Sequence, residues 1–518
     1  MTRISYRETR ALDPTPRSFT DVVLKGIAEG GGLYVPDRLP ELDLKTVLSL
    51  AALPYHGRAF EVFRRFGLDV PEARQAELLA EAYAANFDHP AVAPVVSMGA
   101  AAPGMHMLEL WHGPTSAFKD MALQCMPLFF SEAVAMRRTA GADVPDFLVL
   151  VATSGDTGKA ALEGFADRPS TRIAVLFPAE GVSEVQRRQM TTQHGANVAV
   201  YGVNGNFDDC QNAVKAAFSD PGFNTLLRRD HHTELSSANS INWGRLLPQI
   251  VYYASAYADV AAAGGLEPGA PLDVCVPTGN FGNILAALYA KRMGVPIGRL
   301  ICASNENDVL ANFIATGTYS IKDRPFVTTP SPSMDILISS NLERALYEVC
   351  RDPERIRGWM AGLATEGAFS VDPGTRAVVQ ELFVGESVGN DESLEVIRRV
   401  LADTGRLLDP HTAVAWAAAA RQKGDAPMLV VSTAHWAKFG TDVYKALRGL
   451  PHRDPLPADT AGMSEFQLLD QVLRLAPGEK IPAGLAGLET APVRFTTTIG
   501  RTRDAVVGAV LGWLAGGA

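Results

Sequence analysis

Six short apolar runs place the strongest limit on the fold of this chain. Each has six to eight residues and lacks the alternation expected of a strand with one solvated face. Such runs are typical of parallel strands covered on both faces, and helical patterns lie between most of them. The sequence therefore predicts an α/β fold with open, mostly parallel sheets, in which ligands bind at the carboxyl ends of strands. The runs are residues 146–153, 172–178, 197–203, 273–278, 299–304 and 427–433.

The chain divides into four predicted segments. Residues 1–95 contain a glycine-rich turn, EGGGLYVPDRLP, and then mostly helical sequence, which indicates an N-terminal domain. We expect residues 96–240 to form a small α/β domain and residues 241–450 to form a large one. Residues 451–518 are interrupted by prolines and end in an apolar stretch that is too short to span a bilayer. This segment is expected to be a C-terminal extension that packs on the large domain.

Composition and charge narrow the classes of partner. The 518 residues include 57 acidic and 47 basic side chains, a net charge of −10, which argues against nucleic acid or an anionic membrane as the main partner. The first residues lack the apolar core of a secretory signal. The five cysteines are far apart and have no zinc-site spacing, as expected of reduced thiols. We expect a cytoplasmic monomer or homodimer that acts on a small molecule and binds no metal.

Lys119 stands in the stretch HGPTSAFKDMALQ, among small and apolar residues. One interpretation is an ordinary lysine whose stem covers apolar surface while its ammonium group stays in water. The other is an amine that is desolvated, so that it loses its proton and attacks a carbonyl carbon. This stretch alone favours the ordinary interpretation.

A loop of small and hydroxyl-bearing residues follows the first apolar run, in VATSGDTGKAALEGFA. Ser154, Gly155, Asp156 and Thr157 stand where a strand leads into a helix, and their N–H groups and hydroxyls could hold an anion. A nucleotide-binding P-loop is rejected because Thr153 occupies the position of its first glycine. The alternative is an ordinary helix cap formed by Ser154 or Asp156.

A second loop lies between strand and helix in PTGNFGNILAALYAKRMG. Its residues are Gly279, Asn280, Phe281, Gly282 and Asn283. Converging backbone N–H groups and the helix dipole would favour a phosphate group there. The glycine spacing is not that of the dinucleotide-binding fingerprint. A tight turn that needs glycine for steric reasons is the alternative, but the strand–turn–helix context favours a phosphate site.

A third strand end, in LVVSTAHWAKFG, carries Ser432 and Thr433. A hydroxyl at this position could bond to a ring nitrogen or cap the next helix. Together, a reactive amine, a phosphate site and this hydroxyl fit pyridoxal 5′-phosphate (PLP), which is an electron sink that the protein holds through a lysine.

Several of these motifs resemble the threonine synthase family of fold-type II PLP enzymes. GPTSAFKDMALQ, ATSGDTGKAAL, PTGNFGNILAALYAKRMG and STAHWAKF occur in order, and the similarity extends over roughly residues 3–490. The lysine and GNFGN motifs indicate only the broad fold type. SANSINWGR and the glycine-rich N-terminal turn point to threonine synthases of the longer form. Trp436 departs from the pattern, because the family usually has proline there.

The resemblance implies roles for the motif residues. Lys119 would be the Schiff-base lysine, residues 279–283 would hold the cofactor phosphate, and Thr433 would face the pyridine nitrogen. The implied reaction converts O-phospho-L-homoserine and water into L-threonine and phosphate. Lys119, freed by the substrate amine, would move protons at several carbons, and the leaving phosphate could itself carry a proton.

The two anionic ends of such a substrate need separate sites. We expect the α-carboxylate to bind residues 154–157. The phosphate needs a cation, and in GVSEVQRRQM the adjacent Arg187 and Arg188 must face different sides of a helix; comparison with the family favours Arg187. Asn206, Asn242 and Arg245 are further candidates for hydrogen bonds to the substrate. The alternative is that these arginines are surface residues paired with carboxylates.

Three other functions fit the same residues. The chain could be another fold-type II enzyme, a dehydratase or phospho-lyase, whose product would be a 2-oxo acid with ammonia. It could be a non-catalytic protein that binds a phosphate-bearing ligand, with Lys119 in a salt bridge. A catalytically inactive homologue is the third alternative, which the intact lysine and GNFGN motif argue against.

Overall fold

The strands account for every apolar run singled out above. The computed structural model describes residues 3–12 and 15–516, so the outermost two residues of the expected first and last segments lie outside the described residues. In chain order the strands are β1 Tyr6–Glu8, β2 Tyr34–Pro36, β3 Val95–Ser97, β4 Met105–Glu109, β5 Asp146–Ala152, β6 Thr171–Pro178, β7 Val198–Val203, β8 Thr233–Ser236, β9 Leu272–Pro277, β10 Ile297–Ser304, β11 Thr318–Ser320, β12 Ala368–Ser370, β13 Phe383–Ser387, β14 Met428–Ser432 and β15 Thr498–Ile499.

Helices connect these strands, and many begin at a Ser, Asp or Asn whose side chain accepts a bond from the first turn, as at Ser18, Asp43 and Ser183. The helices are α1 Phe19–Lys25, α2 Leu44–Ser49, α3 Tyr55–Phe63, α4 Glu72–Tyr83, α5 Asp120–Leu123, α6 Met126–Thr139, α7 Asp156–Phe165, α8 Glu184–Thr191, α9 Phe207–Phe218, α10 Pro221–His231, α11 Trp243–Ala262, α12 Gly282–Met293, α13 Val309–Thr316, α14 Leu342–Cys350, α15 Pro353–Glu366, α16 Pro373–Leu382, α17 Asn390–Thr404, α18 Pro410–Gln422, α19 Gly440–Leu447, α20 Glu465–Leu475 and α21 Arg503–Leu514.

The larger sheet has six strands in the order β13-β10-β9-β14-β4-β3. Its first five strands are parallel, and β3 pairs antiparallel with β4. Because β9, β14 and β4 are neighbours, their carboxyl ends lie side by side at one edge. The loops that contain Lys119, residues 279–283 and Thr433 follow these three strands, so the topology brings the three predicted motifs together.

The smaller sheet has five parallel strands in the order β15-β7-β6-β5-β8. The loop of residues 154–157 follows β5. The prediction of an α/β fold with mostly parallel sheets is confirmed, and all six apolar runs are strands, three in each of the two sheets.

The N-terminal region shares a core with the rest of the molecule. Val22, Leu50 and Phe63 belong to the same buried cluster as Trp243 of α11 and Leu300 of β10. A boundary at residue 96 does not separate the two sheets, because β4 lies beside β14 in the six-stranded sheet, whereas β5 to β8 lie in the five-stranded sheet. A short motif such as MHMLE, without a long apolar run, did not mark β4 as a central strand.

The C-terminal extension packs on both sheets. Helix α20 lies against α19 and α8, whereas Val506 and Val510 of α21 pack in the core of the five-stranded sheet with Leu148 and Leu176. The expectation that the whole extension packs on the large domain is therefore wrong for α21. All five cysteines are free thiols. No helix within the described part of the chain combines the length and apolarity needed to cross a membrane.

Candidate active site

Lys119 follows a sharply turned loop at the end of β4. The carboxylate of Asp120 closes this loop, since it accepts bonds from the N–H (2.8 Å) and the hydroxyl (2.7 Å) of Thr115. Ser116 takes a positive φ of 58°, so the backbone reverses just before the lysine. Lys119 is 8% exposed, which excludes the ordinary surface lysine.

The loop after β14 fixes the position of Lys119. Ala117 and Ala434 form an antiparallel bridge, and the N–H of Phe118 donates to the carbonyl of Thr433 (2.8 Å). Thr433 is buried. Thr433 is therefore paired with Phe118, the residue directly before Lys119.

Trp436 does not disturb this pairing. Its indole is buried, and its Nε1–H donates to Glu479 Oε2 (3.0 Å) in the C-terminal extension. The departure from the family pattern thus adds a contact between the site loop and the extension.

Three side chains form a cluster with the Lys119 amine. Lys119 Nζ lies 3.5 Å from Asp156 Oδ2 and 3.3 Å from Ser333 Oγ. Lys438, which is fully buried, places its Nζ 2.6 Å from Asp156 Oδ1. We call Lys119, Asp156, Ser333 and Lys438 the amine cluster. It joins the loop after β4, the start of α7, the segment before α14 and the turn before α19.

The charges of the amine cluster oppose one another. Burial lowers the pKa of Lys119; the Asp156 carboxylate raises it, and the positive charges of Lys438 and Arg245 lower it, so the net shift is downward. Burial alone would raise the pKa of Asp156, but the ammonium groups of Lys438 and Lys119 outweigh it and hold this pKa well below its usual range. Asp156 is therefore ionised next to an amine that loses its proton more readily than an ordinary lysine.

A histidine holds Ser333 in place. The N–H of Ser333 donates to Nε2 of His411 (3.1 Å), and His411 Nδ1 lies 2.8 Å from Asp409 Oδ1. Since Nε2 accepts a backbone N–H, the ring proton is on Nδ1, where it bonds to Asp409. The pair fixes the backbone that carries the Ser333 hydroxyl.

A buried carboxylate holds the same segment from its other side. Asp335 accepts bonds from the amides of Asn305 (2.8 Å) and Asn307 (3.0 Å) and from the hydroxyl of Thr329 (2.7 Å). Burial raises the pKa of Asp335 to about 6, although the bonds from Thr329 lower it. The segment of residues 329–335 is thus fixed on both sides of Ser333.

Residues 279–283, which we call the glycine loop, lead from β9 into α12. A Cβ atom at Gly279 would lie 3.0 Å from the Ser333 carbonyl oxygen and 3.1 Å from Met334 Cα, so the loop and the segment of residues 329–335 are in close backbone contact. Helix α12 begins at Gly282. The N–H groups of its first turn have no intrahelical acceptors and are available to an anion.

Polar groups surround the glycine loop. The Asn280 carbonyl accepts a bond from the N–H of Asn341 (3.0 Å), and the Ser340 hydroxyl donates to Asn280 Oδ1 (3.1 Å). Phe281 has a φ of +62°, an uncommon conformation for a bulky residue, which allows the tight turn into α12.

Asn283 extends from the first turn of α12 towards two tyrosines. The hydroxyls of Tyr252 and Tyr253 both donate to Asn283 Oδ1 (2.5 and 2.6 Å). Asn283 Nδ2 is buried and has no hydrogen-bond partner within the described residues. A buried donor without a partner is costly, and a ligand acceptor would remove this cost.

The loop of residues 154–157 starts α7 without the expected cap. The Thr153 hydroxyl, rather than Ser154 or Asp156, accepts bonds from the N–H groups of Gly155 (3.0 Å) and Gly158 (2.8 Å). The alternative of a Ser154 or Asp156 cap is therefore wrong. Asp156 points into the amine cluster, and Ser154 and Thr157 are half-buried.

Arg187 does not face the site. Its side chain is exposed, and Gln186 and Gln189 occupy the buried face of α8. Gln186 Nε2 donates to Asp156 Oδ1 (2.8 Å). Arg188 instead bonds to carbonyls of the C-terminal extension, including that of Leu488 (2.9 Å). Neighbouring residues of a helix lie about 100° apart, so Gln186 faces Asp156 while Arg187 and Arg188 point elsewhere, and the preference for Arg187 has no support in this geometry.

The three remaining candidates differ in position. Arg245 is buried; its Nη1 donates to the Ala238 carbonyl (2.6 Å), its Nε has no partner within the described residues, and burial lowers its pKa to about 10. Asn242 caps α11, and its amide donates to Val23 (2.8 Å), so it has a structural position. Asn206 is exposed and caps α9, and its side-chain hydrogen bond within the described part of the chain goes to Asp209 and not to the amine cluster.

Sequence reasoning missed four residues of the site: Ser333, His411, Lys438 and Gln186. Lys438 had a visible signal, because it is a lone charge in the buried stretch STAHWAKF next to Thr433. Ser333 and His411 lie in loops whose position depends on tertiary contacts, and Gln186 depends on the orientation of α8.

Three family models match this chain. The family described as pyridoxal-phosphate dependent enzyme matches residues 106–433. The family of the threonine synthase N terminus matches residues 5–83, and the family of the threonine synthase C-terminal region matches residues 412–509. Together they cover residues 5–83 and 106–509.

Relatives are similar over most of the chain. Threonine synthase-like 1 of Homo sapiens is 42% identical over 440 residues, which are 83% of this chain but 58% of the human protein, so the match spans a little over half of that relative. Threonine synthase of Pseudomonas aeruginosa is 40% identical over 467 residues, 89% of this chain and 93% of that protein. The crystal structure of PLP-bound threonine synthase from Brucella melitensis is 37% identical, with a TM-score of 0.82 over 98% of both chains. The chain therefore belongs to the threonine synthase family of pyridoxal-phosphate-dependent enzymes.

Proposed function

We propose that this protein is a threonine synthase that converts O-phospho-L-homoserine and water into L-threonine and phosphate. The observation that carries the proposal is the buried Lys119 amine, which lies at the same sheet edge as the glycine loop and Thr433. The two threonine synthase family models at either end of the chain support this specific activity over other PLP enzymes.

The residues present fit PLP as the cofactor. The glycine loop offers backbone N–H groups for its phosphate, and a side chain at Gly279 would meet the neighbouring backbone. Asn283 Nδ2 is a buried donor for which the described residues provide no acceptor. Lys119 would hold the aldehyde carbon, and the Thr433 hydroxyl would meet the ring nitrogen.

When bound, PLP withdraws electrons from the substrate carbon that bears the amine. Lys119 is the base that we propose takes and returns protons at the substrate carbons, because its lowered pKa leaves more of the amine unprotonated. Ser333 Oγ lies 3.3 Å from this amine and can pass a proton to or from it. Holding one base against several carbons is a proximity effect, worth about 7–11 kcal/mol in well-oriented systems.

The two anionic ends of the substrate are assigned as follows. We propose that the α-carboxylate binds the N–H groups and hydroxyls of residues 154–157, where Ser154 and Thr157 are only half-buried. We assign the phosphate to Arg245, since it is a buried cation near Lys119 with an Nε–H that has no partner in the described part of the chain. Asn206, Asn242 and Arg187 have no part in this assignment.

The wider organisation is also a proposal. We propose that the five-stranded sheet with its helices is the small domain and the six-stranded sheet with its helices the large one, and that substrate binds in the cleft between them. A cytoplasmic location and a monomeric or homodimeric state complete the proposal. Cell fractionation and analytical ultracentrifugation of the purified protein test these two statements.

The decisive experiment incubates the purified protein with PLP and O-phospho-L-homoserine and measures phosphate and threonine together. Equal amounts of both products are expected. A 2-oxo acid with ammonia would show another fold-type II reaction instead. A colourless protein that borohydride does not reduce would show a binding protein without this chemistry. Lys159→Ala is a matched control, because Lys159 pairs with Glu163 (2.8 Å) along α7, outside the amine cluster, and should leave both products unchanged.

A further inference from the structure

The side chain of Asp156 contacts Lys119, Ser333, Lys438 and Gln186, which come from four different segments of the chain. We propose that Asp156 and Lys438 act together as positioning residues, which hold the Lys119 amine in place and set how readily it gains or loses a proton. This role goes beyond the proposed function but rests on it, because it concerns the amine assigned to the cofactor. It leaves the assignment of the substrate carboxylate to the N–H groups and hydroxyls of residues 154–157 unchanged, because it concerns only the side chain of Asp156.

The two oxygens of Asp156 have separate partners. Oδ1 accepts bonds from Lys438 Nζ (2.6 Å) and Gln186 Nε2 (2.8 Å). Oδ2 faces Ser333 Oγ (3.2 Å) and Lys119 Nζ (3.5 Å). One oxygen is thus held by the protein, and the other is directed at the amine and its serine neighbour. A carboxylate anchored in this way stays at a fixed distance from Lys119.

Lys438 is bound to the loop that carries Lys119. Its ammonium group is fully buried and also donates to the Thr115 carbonyl (2.9 Å), four residues before Lys119. A buried ion pair is weak support for stability, because desolvation of both charges opposes their attraction. The position of Lys438 suits a different role, that of a fixed counter-charge which keeps Asp156 ionised.

Asp156 and Lys438 act on Lys119 in opposite directions. The carboxylate favours the protonated amine, whereas the nearby ammonium favours the neutral one. Other titratable groups face the pair as well: Arg245 of α11 acts on Lys119, and His411 of α18 acts on Asp156. Asp120 is adjacent to Lys119. Burial raises the pKa of Asp120 to about 6, and the positive charge of Lys438 acts in the opposite direction.

This balance suits an amine with two tasks. Lys119 must be neutral to attack a carbonyl carbon, and it must carry a proton when it serves as an acid. A lone neighbouring carboxylate would keep the amine protonated. A carboxylate neutralised by a second lysine keeps the amine in place without holding its proton permanently.

The test measures the proton affinity of Lys119 without the enzymatic reaction. The full-length protein, freed of PLP with hydroxylamine, is labelled with a trace of acetic anhydride over a range of pH. Mass spectrometry of the Lys119 peptide then gives the pH at which half of the amine is deprotonated. We expect Asp156→Asn to move this midpoint down by about one pH unit and Lys438→Met to move it up by about the same amount.

Opposite shifts support the proposal, since a general loss of packing would move both variants in the same direction. Lys159→Met is the matched control and should leave the midpoint at the wild-type value. Midpoints that move in the same direction, or that match the control, would overturn the proposal. If Asp156→Asn does not fold, Lys438→Met decides alone: an upward shift supports the proposal, and no shift or a downward shift contradicts it. Because the readout uses no substrate, a failure of the threonine synthase assay is a separate result.

Discussion

The glycine loop and the Lys119 amine lie at the same sheet edge, yet the glycine loop and the amine cluster are built from different groups. The glycine loop presents backbone N–H groups and neutral side chains such as Asn280 and Ser340. The amine cluster brings together three buried charged groups, Lys119, Asp156 and Lys438. The glycine loop would hold its ligand through the arrangement of neutral groups, whereas the amine cluster fixes the Lys119 amine through opposite charges.

The difference follows from what each region is proposed to bind. A phosphate stays charged, so fixed N–H dipoles at a helix start suffice, and they need no proton exchange with the ligand. An amine that changes its charge during a reaction needs neighbours whose charges offset each other. Substitutions in the two regions should therefore have different consequences.

Removing the reactive amine should abolish turnover while the glycine loop still functions. In Lys119→Ala we expect no measurable threonine and no covalent link to PLP, because the nucleophile is gone. PLP should still bind reversibly through the glycine loop, and circular dichroism should show a folded protein. Borohydride reduction followed by peptide mapping provides the measurement. PLP fixed to the same peptide in the variant would contradict the assignment of Lys119.

Replacing the buried Arg245 should strongly impair the reaction of the substrate but leave the binding of PLP unchanged. We expect Arg245→Met to lower kcat/KM for O-phospho-L-homoserine by well over tenfold, more than about 1.4 kcal/mol, because a cation that grips the leaving phosphate is lost. The absorbance of bound PLP should stay normal.

Arg187→Met is the matched control for this variant. Its side chain is exposed on α8, so its kcat/KM should remain within about twofold of wild type. If Arg187→Met is impaired and Arg245→Met is normal, the substrate phosphate binds at Arg187, on the exposed face of α8. Our assignment of the phosphate to Arg245 is then wrong.

A methyl group in the glycine loop should weaken PLP binding without changing any charge. The Cβ of Gly279→Ala would meet backbone atoms of Ser333 and Met334 at 3.0 and 3.1 Å. We expect a loss of about 1–3 kcal/mol of PLP binding energy, measured by equilibrium titration of the cofactor-free protein. Gly358→Ala in α15, where a Cβ would meet no atom within 4 Å, should bind PLP like the wild type.

The smallest effect is expected at the proposed ring-nitrogen contact. Thr433→Ala should weaken PLP binding by about 0.5–1.5 kcal/mol and slow turnover, since one buried hydrogen bond is lost. Thr433→Ser keeps the hydroxyl and should restore most of both. Unchanged affinity in the alanine variant would show that this hydroxyl does not contact the cofactor.

Much of the fold was predictable because it rests on local patterns. Buried parallel strands have continuous apolar sequences, and the six runs all became strands. The short β4 and β15 were not predicted, since neither has a run long enough to stand out. The packing of α21 on the five-stranded sheet could not be predicted, because a single apolar helix does not specify which core it covers.

The site was predictable where its residues form contiguous motifs at strand ends. Lys119, the glycine loop and Thr433 follow the neighbouring strands β4, β9 and β14. The amine cluster was not predicted as a whole, because Ser333 and Lys438 come from distant parts of the chain. The preference for Arg187 over Arg188 did not anticipate that Gln186 faces Asp156, because the orientation of a helix depends on its packing with other elements.

The buried network around Asp335 has a consequence for how a ligand would be received. Its bonds to Asn305, Asn307 and Thr329 order the segment that carries Ser333 in the protein alone. Ordering one backbone residue costs about 1–2 kcal/mol of conformational entropy. This segment already loses its conformational entropy when the protein folds. A cofactor can therefore bind with little further loss of backbone entropy there. Such preorganisation makes the affinity for a cofactor depend on the stability of a polar core that the cofactor need not touch.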